Sequence, residues 1–410
     1  MAHEAAVIGA GPAGLIAAEH LSATGLRVTI FERMASPARK FLMAGRGGLN
    51  LTHSEDWSSF TSRYGACAPQ LLAALNAWPA QAALDWAHGL GIDTFVGTSG
   101  RVFPRAMKAS PLLRAWLRRL EGQGVRLALN HEWRGFTDEG GLTFETPRGR
   151  LTHQAGAIIL ALGGASWPRL GSNGAWADIL ASDGTPIAPF TPANCGVNVG
   201  WSQHMATRFA GDPLKRIAVT SAGRTVRGEA IITRHGLEGG AVYPLASALR
   251  AQVTNSGAAE LHIDLRPNMS LEELTHRVSI PRGKQSMATF LRKAVSLSPA
   301  AIALLHEPGP LPIEPSGLAA RIKHLTLQTT GCAGLERAIS TAGGLRFDAL
   351  NEHFMLTARP GVFVAGEMLD WDAPTGGYLL QASLATGVAA ASAAANWLTV
   401  QSEVAQVHSE

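Results

Sequence analysis

The sequence predicts an α/β protein built on a Rossmann-like dinucleotide-binding unit and interrupted by an inserted second domain. Three observations predict it. A strand–glycine turn–helix–strand–acid pattern fills Ala5 to Arg33. Two further apolar strands follow, Ala157–Gly164 ending in two glycines and Gly361–Glu367 ending in a glycine and an acid. Between them, from about residue 190 to 342, the patterning changes character.

The first stretch reads AAVIGAGPAGLIAAEHLSATGLRVTIFER. Ala5–Ile8 is an apolar run leading into Gly9-x-Gly11-x-x-Gly14, and Pro12 and Ala13 open a helix that Thr24-Gly25 ends. A second apolar run, Val28–Phe31, finishes at Glu32 and Arg33. A dinucleotide site needs these parts at this spacing. Gly9 permits the tight turn, Gly11 lets a pyrophosphate approach the backbone, and Gly14 lets the helix pack close to the strands. The helix N-terminus offers unpaired N–H groups and partial positive charge to phosphates. Glu32 suits a ribose hydroxyl and would repel a 2′-phosphate, which favours a dinucleotide with a free ribose over NADP. Glycine is abundant (45 residues), so the flanking strands and the acid give the motif its specificity.

The glycine-rich segment that follows holds Lys40, Gly45, Arg46, Gly47, Gly48, Asn50 and His53. Backbone without side chains can wrap a ligand closely. Phe41, Leu42 and Met43 predict that the segment packs inward. Residues 55–130 read as mainly helical, interrupted by a basic stretch with Arg101 and Lys108. In the amphipathic helix Pro111–Leu120, Arg114, Arg118 and Arg119 form a solvated face. Residues 126–136, 142–146 and 150–154 read as a three-stranded meander. It feeds Ala157–Leu162, an apolar strand ending in Gly163 and Gly164, as a parallel strand covered on both faces requires.

Pro186, Pro189 and Pro192 mark a boundary. Strand-like pieces at 217–220, 229–233 and 260–264 precede a helical section, 271–322. This predicts a first domain over 1–189 and 342–410, a β-rich insert over 190–270 and 325–341, and a helical subdomain over 271–324. Toward the end, Gly366, Glu367 and Asp370 follow a buried strand, and Gly376, Gly377, Tyr378 and Leu379 open a long uncharged helix. That N-terminus is a second anion-stabilising device, suited to the N1–C2=O edge of a flavin.

Composition narrows the class. The chain has 410 residues, 46% hydrophobic and 16% charged, so it can bury a large core. A net charge of +4 suits an anionic cofactor and argues only weakly for nucleic acid. The three cysteines, Cys67, Cys195 and Cys332, have no CxxC spacing. No metal-ligand motif is present. The N-terminus opens on a strand without a basic n-region, so a cytoplasmic setting is expected. The uncharged run 373–402 is rich in Ala, Ser, Thr and Gly and reads as a helix against a sheet, with no membrane span.

These motifs resemble those of the bacterial BaiN-like (YhiN-like) flavoproteins, NAD(P)/FAD-dependent oxidoreductases. The resemblance rests on Gly9–Gly14, Lys40–Thr52, Gly100–Pro104, Leu162–Ser166, Gly228–Glu229, Thr233–Gly240 and Ala342–Gly344. Its most specific part is Gly366-Glu-Met-Leu-Asp370 with Thr375–Tyr378 and Leu380-Gln381. It implies FAD as cofactor, and a two-part FAD-binding domain with an inserted β-barrel-like domain and a helical subdomain. It implies Gly9, Gly11 and Gly14 at the pyrophosphate and Glu32 at the adenosine ribose. Lys40, Gly45 and Asn50 would belong to the loop near the cofactor, and Trp133 would contact adenine through its backbone. Gly366, Glu367 and Asp370 would lie near the ribityl and phosphates, and Gly376 to Leu379 near the ring. The chain departs from the family at Leu49, where a cysteine is usual, and at Gly48, where an arginine is usual. Thr233–Gly240 also departs from the usual Thr-His-x-Gly-x-Ser-Gly-Pro, which marks a distinct branch.

The expected activity is hydride transfer at the flavin on a small-molecule substrate. Residues proposed around that substrate are Arg46, His53, Arg101, Lys108, His235 and Tyr378. Only one complete GxGxxG unit is present, so NAD(P)H would bind transiently over the flavin, or oxygen would be the acceptor. Two other readings stay open: an RNA-modifying flavoprotein and a non-catalytic flavin-binding regulator.

Overall fold

Five parallel strands form the central sheet, in the order Val362–Val364, Ala157–Leu160, Glu4–Ile8, Arg27–Glu32, Arg126–Leu129. The structure is a computed structural model and describes residues 4–44 and 47–407. In register, Ala5 pairs with Ala157 on one side and Val28 on the other, while Ile158 pairs with Val362 and Thr29 with Arg126. Ala5, Ala6, Val7 and Ile8 are at most 1% exposed, as a strand covered on both faces must be. Because every strand runs the same way, the segments after Ile8, Phe31, Leu160 and Val364 all emerge at one carboxyl edge. Doubly wound sheets place their ligands there.

The helix Pro12–Ala23 packs against this sheet, and the terminal helix Tyr378–Val407 packs against that helix. Their approach is close because a Cβ on Gly387 would stand 2.5 Å from the Ala13 carbonyl oxygen. Ala382, Ala385, Ala390, Ala391 and Ala394 on the same helix are fully buried. By length and composition, Tyr378–Val404 is apolar enough to cross a membrane, yet 56% of the window is buried within the fold.

Three local expectations differ from the structure. Residues 126–136 do not form one meander strand: Arg126–Leu129 joins the parallel sheet, and the meander comprises Glu132–Phe136, Leu142–Thr146 and Gly149–His153. Asn130, at φ +58°, turns the chain between them, and the His131 N–H donates to the Glu32 carbonyl. The segment after Lys40 packs inward only in part. Phe41 is buried, whereas Leu42 is exposed on the far side of the short helix Arg39–Ala44. Arg119 also does more than face solvent, since it pairs with Glu19 on the first helix at 2.7 Å.

The chain divides into two compact units, Met1–Thr191 with Ile339–Glu410, and Pro192–Ala338. The second contains a closed barrel of six strands: Val197–Val199, Gly236–Glu238, Arg224–Ile232, Pro213–Ser221, Ala259–Asp264 and Leu325–Cys332. The helices Leu271–Ser279, Met287–Val295, Pro299–Leu304 and Pro315–Lys323 follow before the last barrel strand. Their apolar residues Leu274, Leu291, Leu304 and Ile322 share one core with Val219, Ile232 and Leu261 of the barrel. The architecture is therefore a Rossmann-type parallel sheet with a small closed barrel and helices inserted into it.

Candidate functional site

A cavity of about 490 Å³ opens at the carboxyl edge of the parallel sheet. Its wall includes Gly9, Gly11, Pro12 and Ala13 from the first turn, and Glu32, Arg33 and Lys40 after the second strand. Trp133, Gly163 and Glu367 complete the set of sequence-predicted residues in that wall.

The glycines of the first turn have separate steric reasons. Gly9 sits at φ +104°, and a Cβ there would stand 2.3 Å from the Ala161 carbonyl oxygen. A Cβ on Gly14 would stand 1.9 Å from the Gly9 carbonyl oxygen, so Gly14 serves packing behind the turn and does not line the cavity. A Cβ on Gly11 would meet nothing within 4 Å. Gly11 also caps the helix without a side-chain hydrogen bond, and Pro12 supplies the first helical turn. The first-turn N–H groups are thus left to an external acceptor.

Glu32 is 9% exposed and accepts the Ala10 N–H at 2.9 Å and the Met34 N–H at 2.8 Å, one on each carboxylate oxygen. Burial raises its pKa, and the two backbone N–H groups oppose that rise. Each oxygen keeps a further lone pair.

Also in the cavity lining, Lys40 Nζ donates to Glu367 Oε2 at 2.6 Å and to Ser166 Oγ at 2.5 Å. Glu367 Oε1 accepts the Thr341 N–H at 3.0 Å, and Thr341 Oγ1 accepts the Ala165 N–H at 2.9 Å. Gly164 lies behind this network, where a Cβ would stand 2.6 Å from Thr341 Oγ1. Gly366 abuts Ala13, and its N–H donates to Thr386 Oγ1 at 3.0 Å.

Other predicted residues fall elsewhere. Asp370 lines a separate cavity with Arg346, Tyr64 and Trp371. Burial raises its pKa, against the opposing pull of Arg346. Gly376, Gly377 and Tyr378 gather around the small sheet containing His53 and Arg101, which pair in register. The His53 ring stacks on Tyr378 with centroids 5.4 Å apart. Tyr378 Oη donates to Glu55 Oε1 at 2.6 Å, and Arg63 holds both Glu55 oxygens at 3.0 and 2.6 Å. Arg63 lowers the Glu55 pKa, while burial and then Glu55 raise that of Tyr378. Leu379 is partly buried against the core. Lys108 is exposed before the helix Ala109–Gly122, and His235 is exposed in the barrel unit. Gly45 and Arg46 lie outside the described residues.

Several wall residues were not singled out in the sequence: His131, Ser172, Trp176 and Ser383. Ser172 Oγ donates to the Gly164 carbonyl at 2.9 Å, and Trp176 Nε1 donates to the Gly163 carbonyl at 2.8 Å. Only contact with Gly163-Gly164 marks them, and sequence spacing carries no trace of it. Among the described residues six buried side-chain polar atoms have no hydrogen-bond partner, and they include Asn50 Oδ1, Thr52 Oγ1, Gln381 Oε1 and Trp133 Nε1. The first two flank Leu51 on the predicted loop, and Trp133 belongs to the cavity wall. Among the described residues, no group of three or more His, Cys, Asp or Glu is placed to hold a metal.

Residues 3–393 match the model of the HI0933-like protein Rossmann domain. The chain belongs to the HI0933-like family. Among relatives, this HI0933-like chain is 26% identical to a 3-dehydro-bile acid delta(4,6)-reductase of Clostridium scindens, over 95% of this chain and 98% of that one. It is 25% identical to a ribosomal RNA dihydrouridine synthase of Escherichia coli, over 92% of this chain and 94% of that one. Among solved structures, the 3-ketosteroid delta1-dehydrogenase of Sterolibacterium denitrificans aligns over 96% of this chain and all of that one. The TM-score is 0.55 and the identity 14%. A flavocytochrome c3 fumarate reductase aligns over 97% of this chain and 78% of that one, with TM-score 0.53 and 15% identity. The HI0933-like chain thus has a Rossmann-type FAD-binding fold, in a family of flavoenzyme-like oxidoreductases.

Proposed function

We propose that the cavity at the sheet's carboxyl edge holds FAD, and that the chain is an FAD-dependent oxidoreductase acting on a small molecule. The observation that carries this reading is one wall shared by residues from both ends of the chain: Gly11, Glu32 and Lys40 with Trp133, Gly163 and Glu367. When bound, FAD supplies hydride-transfer chemistry.

The chain's own residues divide the binding work. Gly11 leaves backbone and helix N-terminus open to a pyrophosphate, and Glu32 has lone pairs left for a ribose hydroxyl. Trp133 borders the adenosine end of the cavity. Lys40, balanced by Glu367, keeps a cation in the cavity lining without leaving net charge there. Gly164, Gly366, Asp370 and the Gly376–Leu379 turn belong to the ribityl and ring end in this reading. His53, Arg101 and Tyr378 are the side chains nearest that turn that can handle protons or charge. Tyr378 Oη holds its proton toward Glu55 Oε1, and burial keeps it protonated at neutral pH.

The substrate class follows from chemistry shared by two relatives. A delta(4,6)-reductase and a dihydrouridine synthase are both named for saturating a carbon–carbon double bond. We infer the same reaction type here, with NAD(P)H as a transient donor and a conjugated, carbonyl-bearing ring as acceptor. A second reading, ribosomal RNA as the bearer of that ring, is favoured by the names of two relatives.

The test begins with the visible spectrum of the purified protein and identification of any chromophore released by heat, followed by anaerobic NADH or NADPH. FAD that bleaches with one nicotinamide supports the reductase reading. FAD that stays oxidised redirects the search to substrates that reduce it directly. A colourless protein that takes up no added FAD overturns the assignment. Ribosomal RNA binding with a steep salt dependence would favour the second reading, and no binding at low salt would remove it.

A further inference from the structure

We propose that Cys195 and Cys332 form a peroxide-reactive dithiol, which closes to a disulfide across the two ends of the barrel unit. The pair is invisible in the sequence, because its members are far apart and lack any CxxC spacing.

The fold brings them together. Cys195 lies two residues before the strand Val197–Val199, and Cys332 ends the strand Leu325–Cys332. These strands are antiparallel neighbours, with Val197 opposite Cys332 and the Ala333 N–H donating to the Gly196 carbonyl at 2.8 Å. Both thiols belong to one small cluster with Ala246 and Ala338, where Cys195 Sγ donates to the Pro192 carbonyl at 3.8 Å and Cys332 Sγ to the Ala246 carbonyl at 4.0 Å. Cys195 is fully buried, whereas Cys332 is half-buried. The remaining cysteine, Cys67, belongs to the other unit.

The surroundings sort the roles. Hydrogen bonding from Cys195 holds the Cys332 thiol below its usual range, and the same contact pushes Cys195 up. Arg250, anchored on the Pro192 carbonyl, favours the thiolate of both. Cys332 is therefore the attacking thiolate and Cys195 the resolving thiol. In the first step the Cys332 sulfur attacks one oxygen of hydrogen peroxide. The O–O bond breaks, a sulfenic acid forms, and the departing hydroxide takes up the thiol's proton as water. In the second step Cys195 sulfur attacks that sulfenic sulfur. The S–S bond forms, and the hydroxyl leaves with the Cys195 proton as a second water. Two thiols are oxidised to one disulfide, and one peroxide is reduced to two waters. The second step is internal, so the burial of Cys195 does not impede it.

The linkage has a mechanical consequence. The barrel unit spans Pro192–Ala338, and the two cysteines lie just inside those limits. A bond between them ties the incoming and outgoing segments of the unit. Disulfides of cytosolic proteins are characteristically of this reversible kind.

The experiment treats full-length protein with one to a few equivalents of hydrogen peroxide, alkylates it with N-ethylmaleimide, and maps its peptides. The expected result is a 2 Da loss, a linked pair of peptides carrying residues 195 and 332, and one alkylated thiol at Cys67. Dithiothreitol should reverse it. The oxidised protein should melt higher by about 5–10 °C in the transition of the barrel unit. Cys67→Ser should form the same link, and Cys195→Ser should instead accumulate oxygenated Cys332. Recovery of Cys332 sulfinic acid with Cys195 still free in the unsubstituted chain would overturn the proposal. So would three unreacted thiols under conditions that oxidise a free thiol in solution.

Discussion

Adding one methyl group to each of three glycines separates cofactor contact from folding. Gly11→Ala is the informative change. Gly11 has φ −82° and ψ −180°, which alanine adopts freely, and the new Cβ meets no atom within 4 Å. The fold should tolerate it, and the lower entropy of the unfolded chain should add about 0.4–1 kcal/mol of stability. In the proposed reading the same methyl stands where the FAD pyrophosphate would approach the backbone. Losing charge-assisted hydrogen bonds of about 1.5–3 kcal/mol should weaken FAD roughly 10- to 150-fold. Gly9→Ala and Gly14→Ala behave oppositely. Their methyls would stand 2.3 Å and 1.9 Å from backbone carbonyl oxygens, which side-chain movement cannot relieve. Overpacking of this kind costs about 1–3 kcal/mol or more. The assay is a pair of measurements on each variant: a melting curve without added FAD, and a titration with FAD followed by fluorescence quenching. Gly11→Ala should melt no lower than the unsubstituted chain and lose affinity, while the other two should melt lower. A Gly11→Ala protein that binds FAD as the unsubstituted chain does would refute the reasoning.

Further outcomes follow from the same site. Glu32→Ala leaves the buried N–H groups of Ala10 and Met34 without their acceptor, about 1–3 kcal/mol each, so the melting temperature should fall by several degrees. The folded pKa of Glu32 is raised above 4.5, so its stabilising contribution is complete below 4.5 and is lost as pH rises through the folded pKa. Denaturant midpoints should therefore show the unsubstituted chain gaining on Glu32→Gln as pH falls through that window. Lys40→Met strands Glu367 in a partly exposed wall, with side-chain exposures of 26% and 17% for the pair. A loss of about 1–2 kcal/mol is expected, with Lys40→Met/Glu367→Gln recovering part of it in a double-mutant cycle. The alanine-rich terminal helix is a core element, so high-speed centrifugation of a detergent-free lysate should leave the chain in the supernatant. Recovery only with detergent would reverse that assignment.

Local signals reached the parts that depend on neighbouring residues. The Gly9–Gly14 turn was legible because three steric demands act within six positions and because an acid ends the next strand. Ala157–Leu160 and Val362–Val364 were legible as buried parallel strands, since a strand covered on both faces must be apolar throughout. A barrel-like insert was expected only through family resemblance, and its closure by six strands came from the structure, because strand pairing across distant segments leaves no periodic mark. The break at Asn130 was missed for a similar reason. Arg126–Leu129 and Glu132–Phe136 are both strand-like, and only the partners available to each decide which sheet it joins.

The sequence by itself determined the fold class, the first glycine turn and the family, because these rest on backbone sterics and hydrophobic pattern within short windows. Tertiary structure alone decided which residues share a wall. It set Lys40 on Glu367, turned Ser172 and Trp176 toward the Gly163-Gly164 carbonyls, sent Asp370 to another cavity, and brought Cys195 and Cys332 into one cluster. The physical reason is that such neighbours are created by chain crossovers and strand register. Each of these is selected by the energy of the whole core, and none by the residues beside it in the chain.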